Sequence, residues 1–467
     1  MVVRALVVAC LAACAQRVPA PTGDRCADLR RLAVPHVTID SARVVPADEY
    51  TPPAHPAYCR VDAIAHPTAD SNIRFEVAIP VGDAWTGRYQ QIGNGGFAGL
   101  VPEDDLVQAV ALGNAAAGTD DGHASTRAVD ASFAVGHPER VIDFGYRAVH
   151  ETHDAALAII EAYAGRAPQH RYFTGCSDGG REGLMEAQRF PADFDGIVAG
   201  APANYTTRLL SSFAWNANAL EATPGSYISS QQLRAIEDAA LAACGGKDGV
   251  IDDPRACHFD PSVLRCTGAP DDHCLTDAQL VALAKIYAGM PGYYGLTPGS
   301  EAEDGAWAVW ITGSAPGAAG HAVARRFGAT FFRYLVHGDP HFELRDVHFD
   351  RDVAAAEQKL GAILDASSPD LSAFARRGGK LIQWHGWSDP AIPARASIAY
   401  HDAVARRGDP SAFYRLFLVP GMLHCEGGRG PSDVPTLDAI EAWVEHGRAP
   451  AELVVKNTTR SWTLRPY

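Results

Sequence analysis

The chain carries a single Gly-x-Ser-x-Gly pentapeptide, Gly175-Cys176-Ser177-Asp178-Gly179, placed where a strand should hand over to a helix. Residues 171–174 read as a short strand and residues 181–189 as a helix. Glycine on both sides of a serine permits a sharp, strained turn that lifts the hydroxyl into the open. Few scaffolds present a serine in this way. A sheet whose strands alternate with helices is the one expected here.

The remaining pattern agrees with such a sheet. Residues 74–80 alternate apolar and polar, as a half-buried strand should. Residues 89–92 read as another strand and run into the glycine-rich stretch 93–99; residues 115–119 form a small-residue strand ending at Asp120-Asp121-Gly122-His123. Residues 143–163 have helical spacing, with Val149, Ala156, Ile160 and Tyr163 recurring on one face. Buried strands are expected at 196–202, 380–384 and 413–418, and a closing helix at 439–444. From about Asn204 the alternation fades while Gly, Pro, aromatic and Cys content rises. A stretch that long is usually a lid or a separate substructure. The expected division is therefore a catalytic domain over 21–203 and 351–467, with a lid domain over 204–350. At 467 residues and 47% hydrophobic, the chain can bury a core of that size.

Two features point to export. Met1 to Arg4 followed by the apolar residues 5–13 reads as a secretory leader over residues 1–20, too short to span a bilayer. Leu11-Ala12-Ala13-Cys14 resembles a lipobox, which would lipidate Cys14; cleavage after Ala20 is the other reading. The product would be secreted, periplasmic or an outer-membrane lipoprotein. Of ten cysteines, Cys10 and Cys14 fall in the leader, and the even remainder suggests a disulfide framework. The cluster from Cys244 to Cys274, with His258 and His273, could instead bind zinc, but it lacks the close C-x2-C spacing such sites use. A net charge of -15 with no basic run excludes a nucleic-acid partner.

Ser177 is the candidate nucleophile. A serine hydroxyl is weak at neutral pH and needs an adjacent base. His424, after the last core strand, fits that base, and Asp389, directly after the strand 380–384, fits the acid that orients it. The order Ser177, Asp389, His424 is that of the α/β-hydrolases and differs from the chymotrypsin and subtilisin orders. His385 and His123, and Asp120 and Asp121, compete for the same roles. Backbone N–H groups of Asp178 and of Gly95 or Gly96 are the candidate oxyanion donors. Cys176 adjoins Ser177 and Cys425 adjoins His424, so a bond between them would hold base and nucleophile in range.

The chain resembles the tannase and feruloyl esterase family, which includes mono(2-hydroxyethyl) terephthalate hydrolase. The matching stretches are 143–150, 175–184, 186–196, 377–380 and 420–428, including the Cys-Ser and His-Cys pairs. The resemblance implies an α/β-hydrolase fold with an inserted lid domain, and hydrolysis of carboxylic esters, commonly of aromatic acids. It also implies a Cys176–Cys425 bridge and the pairs Cys26–Cys59, Cys244–Cys257 and Cys266–Cys274. The family's calcium loop survives only in part: Asp248 and the Val250 carbonyl match its end, and the preceding residues are shortened. Calcium wants six to eight oxygen ligands, so those two alone are too few. No organic cofactor is implied. In the lid, Trp307, Trp310, Phe331 and Phe332 either stack on an aromatic acyl group or form the lid's own core. Arg325, Arg326 and Arg333 either meet a substrate carboxylate or phenolate or are simply exposed. The alternative readings are an esterase of broader specificity and a non-catalytic surface binding module on a hydrolase fold.

Overall fold

The computed structural model describes residues 24–49, 52–246, 248–315 and 322–467. The expected leader, with Cys14, lies outside the described residues. Nine strands form one sheet: β1 (Val37–Val45), β2 (Tyr58–Ala65), β3 (Ile73–Pro80), β4 (Arg88–Ile92), β5 (Ala115–Thr119), β6 (His170–Cys176), β7 (Gly196–Gly200), β8 (Lys380–Gly386) and β9 (Tyr414–Val419). Their order is β1-β2-β3-β5-β4-β6-β7-β8-β9. The first three strands pair antiparallel, as does β3 with β5, and every pair from β5 onward is parallel.

Parallel strands covered on both faces are apolar on both, and adjacent residues divide between two cores. Phe173, Ile197 and Leu381 pack against the helices Ala148–Ala164 and Asp178–Arg189. Their neighbours Tyr172, Val198 and Ile382 pack against Ile440 and Trp443 of the helix Thr436–His446. The expected α/β class and hydrolase fold hold.

Three details differ from the sequence reading. β1 and β2 were not expected: only Ala42 of β1 is buried, whereas β2 buries Cys59, Val61, Ala63 and Ala65 at alternate positions, a strand pattern that the sequence reading passed over. β3 is buried at every residue except Arg74. Its Glu76, which read as solvent-facing, sits 2.7 Å from Arg60 Nη2 on β2. A C-terminal hairpin, β10 (Leu453–Lys456) and β11 (Ser461–Leu464), follows the closing helix.

Between β7 and β8 the chain is largely helical. The helices Thr206–Glu221, Ser230–Cys244, Asp277–Ala288 and Val323–Thr330 share one apolar cluster around Phe213, Leu283 and Phe331. The helix Phe349–Leu364 crosses the expected boundary at Asp350, and its Ala356, Leu360 and Leu364 join the same cluster. Phe97, Phe144 and Ile392 enter that cluster from the sheet side. The two units therefore share a core, and the site lies at their junction. Disulfides join Cys26 to Cys59, Cys176 to Cys425, Cys244 to Cys257 and Cys266 to Cys274.

Candidate active site

β6 ends at Cys176, and the next residue, Ser177, has φ 64° and ψ -117°. That conformation costs a residue with a Cβ about 1–3 kcal/mol and persists only where its surroundings dictate it. Here Ser177 N donates to Gly200 O at 3.0 Å, and Ser177 O accepts from Arg181 N at 3.1 Å and Ala203 N at 3.0 Å. The turn is tight enough that a Cβ on Gly175 would lie 2.6 Å from the Gly179 carbonyl carbon. Glycine is thus required there by close approach.

Ser177 Oγ stands 2.9 Å from His424 Nε2, and His424 Nδ1–H donates to Asp389 Oδ2 at 2.8 Å. Asp389 is fixed by its other oxygen, which accepts from Ala391 N and Ile392 N, each at 2.8 Å. Burial pushes its carboxyl pKa up, yet His424 and His385 together outweigh this and hold it well below the usual carboxylate range. His385 sits behind the acid, its Nε2 3.2 Å from Asp389 Oδ2, with ring bonds to Ser397 Oγ at 2.7 Å and Ile392 O at 2.9 Å. Of the other competitors, Asp120 Oδ1 accepts from the backbone of Arg74 at 3.0 Å and Gly122 at 2.9 Å. His123 stacks on Phe133 at 3.8 Å, and burial lowers its pKa to about 4.

The Cys176–Cys425 bond brings the two Cα atoms to 5.9 Å across a separation of 249 residues. The amides of Asp178, Gly95 and Gly96 border the same cavity and meet no acceptor among the described residues. Gly96 has φ 63°, and a Cβ there would lie 2.5 Å from Ala128 O, so the loop can take this path only with glycine.

Beneath this loop is a charged cluster that sequence reasoning did not find. Arg181 Nε and Nη2 donate to Asp178 at 2.6 and 2.9 Å, and Nη1 donates to Gly145 O at 2.6 Å. Glu182 Oε2 accepts from Asn94 N at 3.0 Å. Ligand-capable oxygens of Asp121, Asp178 and Glu182 lie within 4.8 Å of one another. Burial, with the Asp178 charge, pushes the Glu182 carboxyl up to about 7. Burial also raises Asp121, reinforced by Glu182. Both shifts favour the protonated form of these adjacent buried carboxyls, against the opposing pull of the Arg181 guanidinium.

The cavity above Ser177 measures about 420 Å³. Of the four lid aromatics considered from sequence, it contains Trp310, whose ring meets His424 edge-on at 5.1 Å. Trp307, Phe331 and Phe332 are 1%, 0% and 0% exposed within the apolar cluster of the helical unit, so of the two readings they take the core one and do not line the cavity. Arg325, Arg326 and Arg333 are absent from the described cavity wall. The unforeseen wall residues Leu209, Leu210 and Phe213 follow Thr206 at helical spacing, a stripe legible as helix but not as pocket. Asp248, the expected calcium donor, joins no cluster of three or more carboxylate, imidazole or thiolate groups among the described residues, and the acids that follow it in the chain are engaged elsewhere. Asp252 is engaged by Arg460 Nη2 at 2.5 Å and Trp462 Nε1 at 2.9 Å, and Asp253 by Arg255 at 2.7 Å. Beside them Asp248 is exposed and the Val250 residue is buried.

The sheet, the strained serine and the order of the three residues define the class: an α/β-hydrolase-fold enzyme, and among its relatives the shared chemistry is carboxylic ester hydrolysis. The sequence model of tannase and feruloyl esterase matches residues 59–465, and the chain belongs to that family. It is 42% identical over 486 residues to an uncharacterized esterase of Xanthomonas campestris pv. campestris, covering 92% of this chain and 83% of that one. Mono(2-hydroxyethyl) terephthalate hydrolase of Piscinibacter sakaiensis is 32% identical over 86% of this chain and 78% of its own. The crystal structure of feruloyl esterase B from Aspergillus oryzae aligns with a TM-score of 0.84 over 95% of each chain, at 27% identity.

Proposed function

We propose that this protein is an exported serine esterase that cleaves esters of aromatic acids through an acyl-Ser177 intermediate. The observation that carries the reading is the unbroken chain from Ser177 Oγ through His424 to Asp389. As Ser177 Oγ attacks the ester carbonyl, its proton passes to His424 Nε2. Asp389 orients the ring and stabilises the imidazolium that forms. The oxyanion is received by the amides of Asp178 and of Gly95 or Gly96, which no described group otherwise occupies. Collapse breaks the ester C–O bond and His424 returns its proton to the departing alcohol. Water then enters, loses a proton to His424 and releases the free acid, restoring the Ser177 hydroxyl. The steps need no cofactor, and the partner is a small-molecule ester.

An aromatic acyl group suits a cavity lined by Phe97, Phe144, Phe213, Phe327 and Trp310. Export is supported by four disulfides, which persist in oxidising compartments. Stopped-flow hydrolysis of a p-nitrophenyl ester should give a p-nitrophenol burst stoichiometric with enzyme and lost in Ser177→Ala. Undiminished hydrolysis by Ser177→Ala would show the reading to be wrong.

A further inference from the structure

A site that accepts a hydroxylated or ionised acid must replace the water those groups give up on entry. The cavity above Ser177 offers little with which to do so. Its walls include Phe97, Leu209, Leu210, Phe213, Phe327 and Ile392. Apart from Ser177, His424, the amides assigned to the oxyanion and the single indole N–H of Trp310, the polar groups along the same wall are already engaged. Thr206 Oγ1 bonds the carbonyls of Ala203 at 2.8 Å and Leu364 at 2.9 Å. Ala128 O accepts from Phe97 N at 2.7 Å, and Val129 O accepts from Thr330 Oγ1 at 2.7 Å. Asp178 keeps its carboxylate on Arg181. No lysine or arginine is among the described wall residues. The lid arginines are committed or outside the wall: Arg325 pairs with Glu221 at 2.5 Å, Arg333 Nε donates to Phe342 O at 3.0 Å, and Arg326 is exposed and not among the wall residues.

Resting on the reading of Ser177 as nucleophile, we propose that this cavity selects esters whose acyl group is neutral and free of ring hydroxyls, such as benzoyl and cinnamoyl groups. Polyhydroxylated acids and acids bearing a second carboxylate are disfavoured. Leu210 and Phe213, side by side on the helix Thr206–Glu221, are the specificity-determining residues. Each hydroxyl left without a partner lowers kcat/KM about 10-fold, and an unpaired carboxylate lowers it at least about 100-fold.

The test is a panel of methyl esters assayed with wild type and Ser177→Ala: benzoate against gallate, cinnamate against caffeate, and dimethyl against monomethyl terephthalate. The first of each pair is expected to have the higher kcat/KM, by about 10-fold or more for the hydroxylated pairs and about 100-fold or more for the anionic one. Equal or inverted ratios overturn the selectivity while leaving the nucleophile intact. Hydrolysis that survives Ser177→Ala overturns the nucleophile instead. Leu210→Arg should raise the monomethyl-to-dimethyl ratio about 10-fold or more. An unchanged ratio in a folded variant removes Leu210 from the substrate wall, and if the variant does not fold, the wild-type ratios decide alone.

Discussion

Replacing the Cys176–Cys425 bridge by Cys176→Ala/Cys425→Ala separates two effects that different measurements read. The bond closes a loop of 249 residues. Chain entropy assigns such a closure at most about 5.5 kcal/mol of stability. Unfolding entropy grows with chain length, so over 467 residues that loss lowers Tm by no more than about 6 °C. The geometric effect, though smaller in free energy, is the one that activity reads. Cys176 precedes Ser177 and Cys425 follows His424, so the bridge spans the pair whose Oγ and Nε2 are 2.9 Å apart. A shift of 1 Å between such atoms costs about 100-fold in rate. Calorimetry and initial rates on a p-nitrophenyl ester should therefore show a folded variant with kcat reduced at least about 100-fold. A variant that keeps full turnover and loses only a few degrees of Tm would refute the idea that the bridge holds the catalytic distance.

Asp389→Asn should lower kcat by about 10³- to 10⁴-fold with little change in KM, because the amide can no longer hold His424 Nδ1 as a donor; steady-state kinetics check this. For Glu182, the folded pKa is raised to about 7, so the native state holds the proton more tightly than the unfolded chain. Its contribution is present at acid pH and is lost as pH rises from the ordinary carboxyl range through about 7. Glu182→Gln keeps an acceptor for Asn94 N and cannot ionise, so its Tm relative to wild type should climb between pH 5 and 8. A relative Tm that falls over that range would reverse the argument.

The catalytic side of the molecule was legible because its constraints are local. A strand, a glycine-flanked serine and a helix occupy consecutive residues, and Asp389 and His424 each fall just past a strand end. β1 escaped because its exposed face dilutes the apolar signal that marks the inner strands, whereas β2 alternates buried Cys59, Val61, Ala63 and Ala65 with half-buried neighbours and was legible. The substrate wall escaped for a different reason. Phe97, Phe144, Phe213 and Phe327 come from four separate segments and meet only when the helical unit closes over the sheet. In sequence each reads as an ordinary core phenylalanine, which is also why Trp310 could not be told from Trp307.

One turn of helix links these regions. Asp178, Arg181 and Glu182 recur at i, i+3 and i+4, which places them on a single face of the helix that follows Ser177. Asp178 and Gly95 both border the cavity, and Glu182 holds Asn94 N, one residue before Gly95, at 3.0 Å. Arg181 ties the same face to the carbonyls of Phe144 at 3.0 Å and Gly145 at 2.6 Å, where the chain forms a π-helical turn, and Phe144 is itself a wall of the cavity. The buried charges thus act as a brace. They hold the two candidate oxyanion donors and part of the cavity wall in one frame, and Arg181 and Glu182 do so from outside that wall.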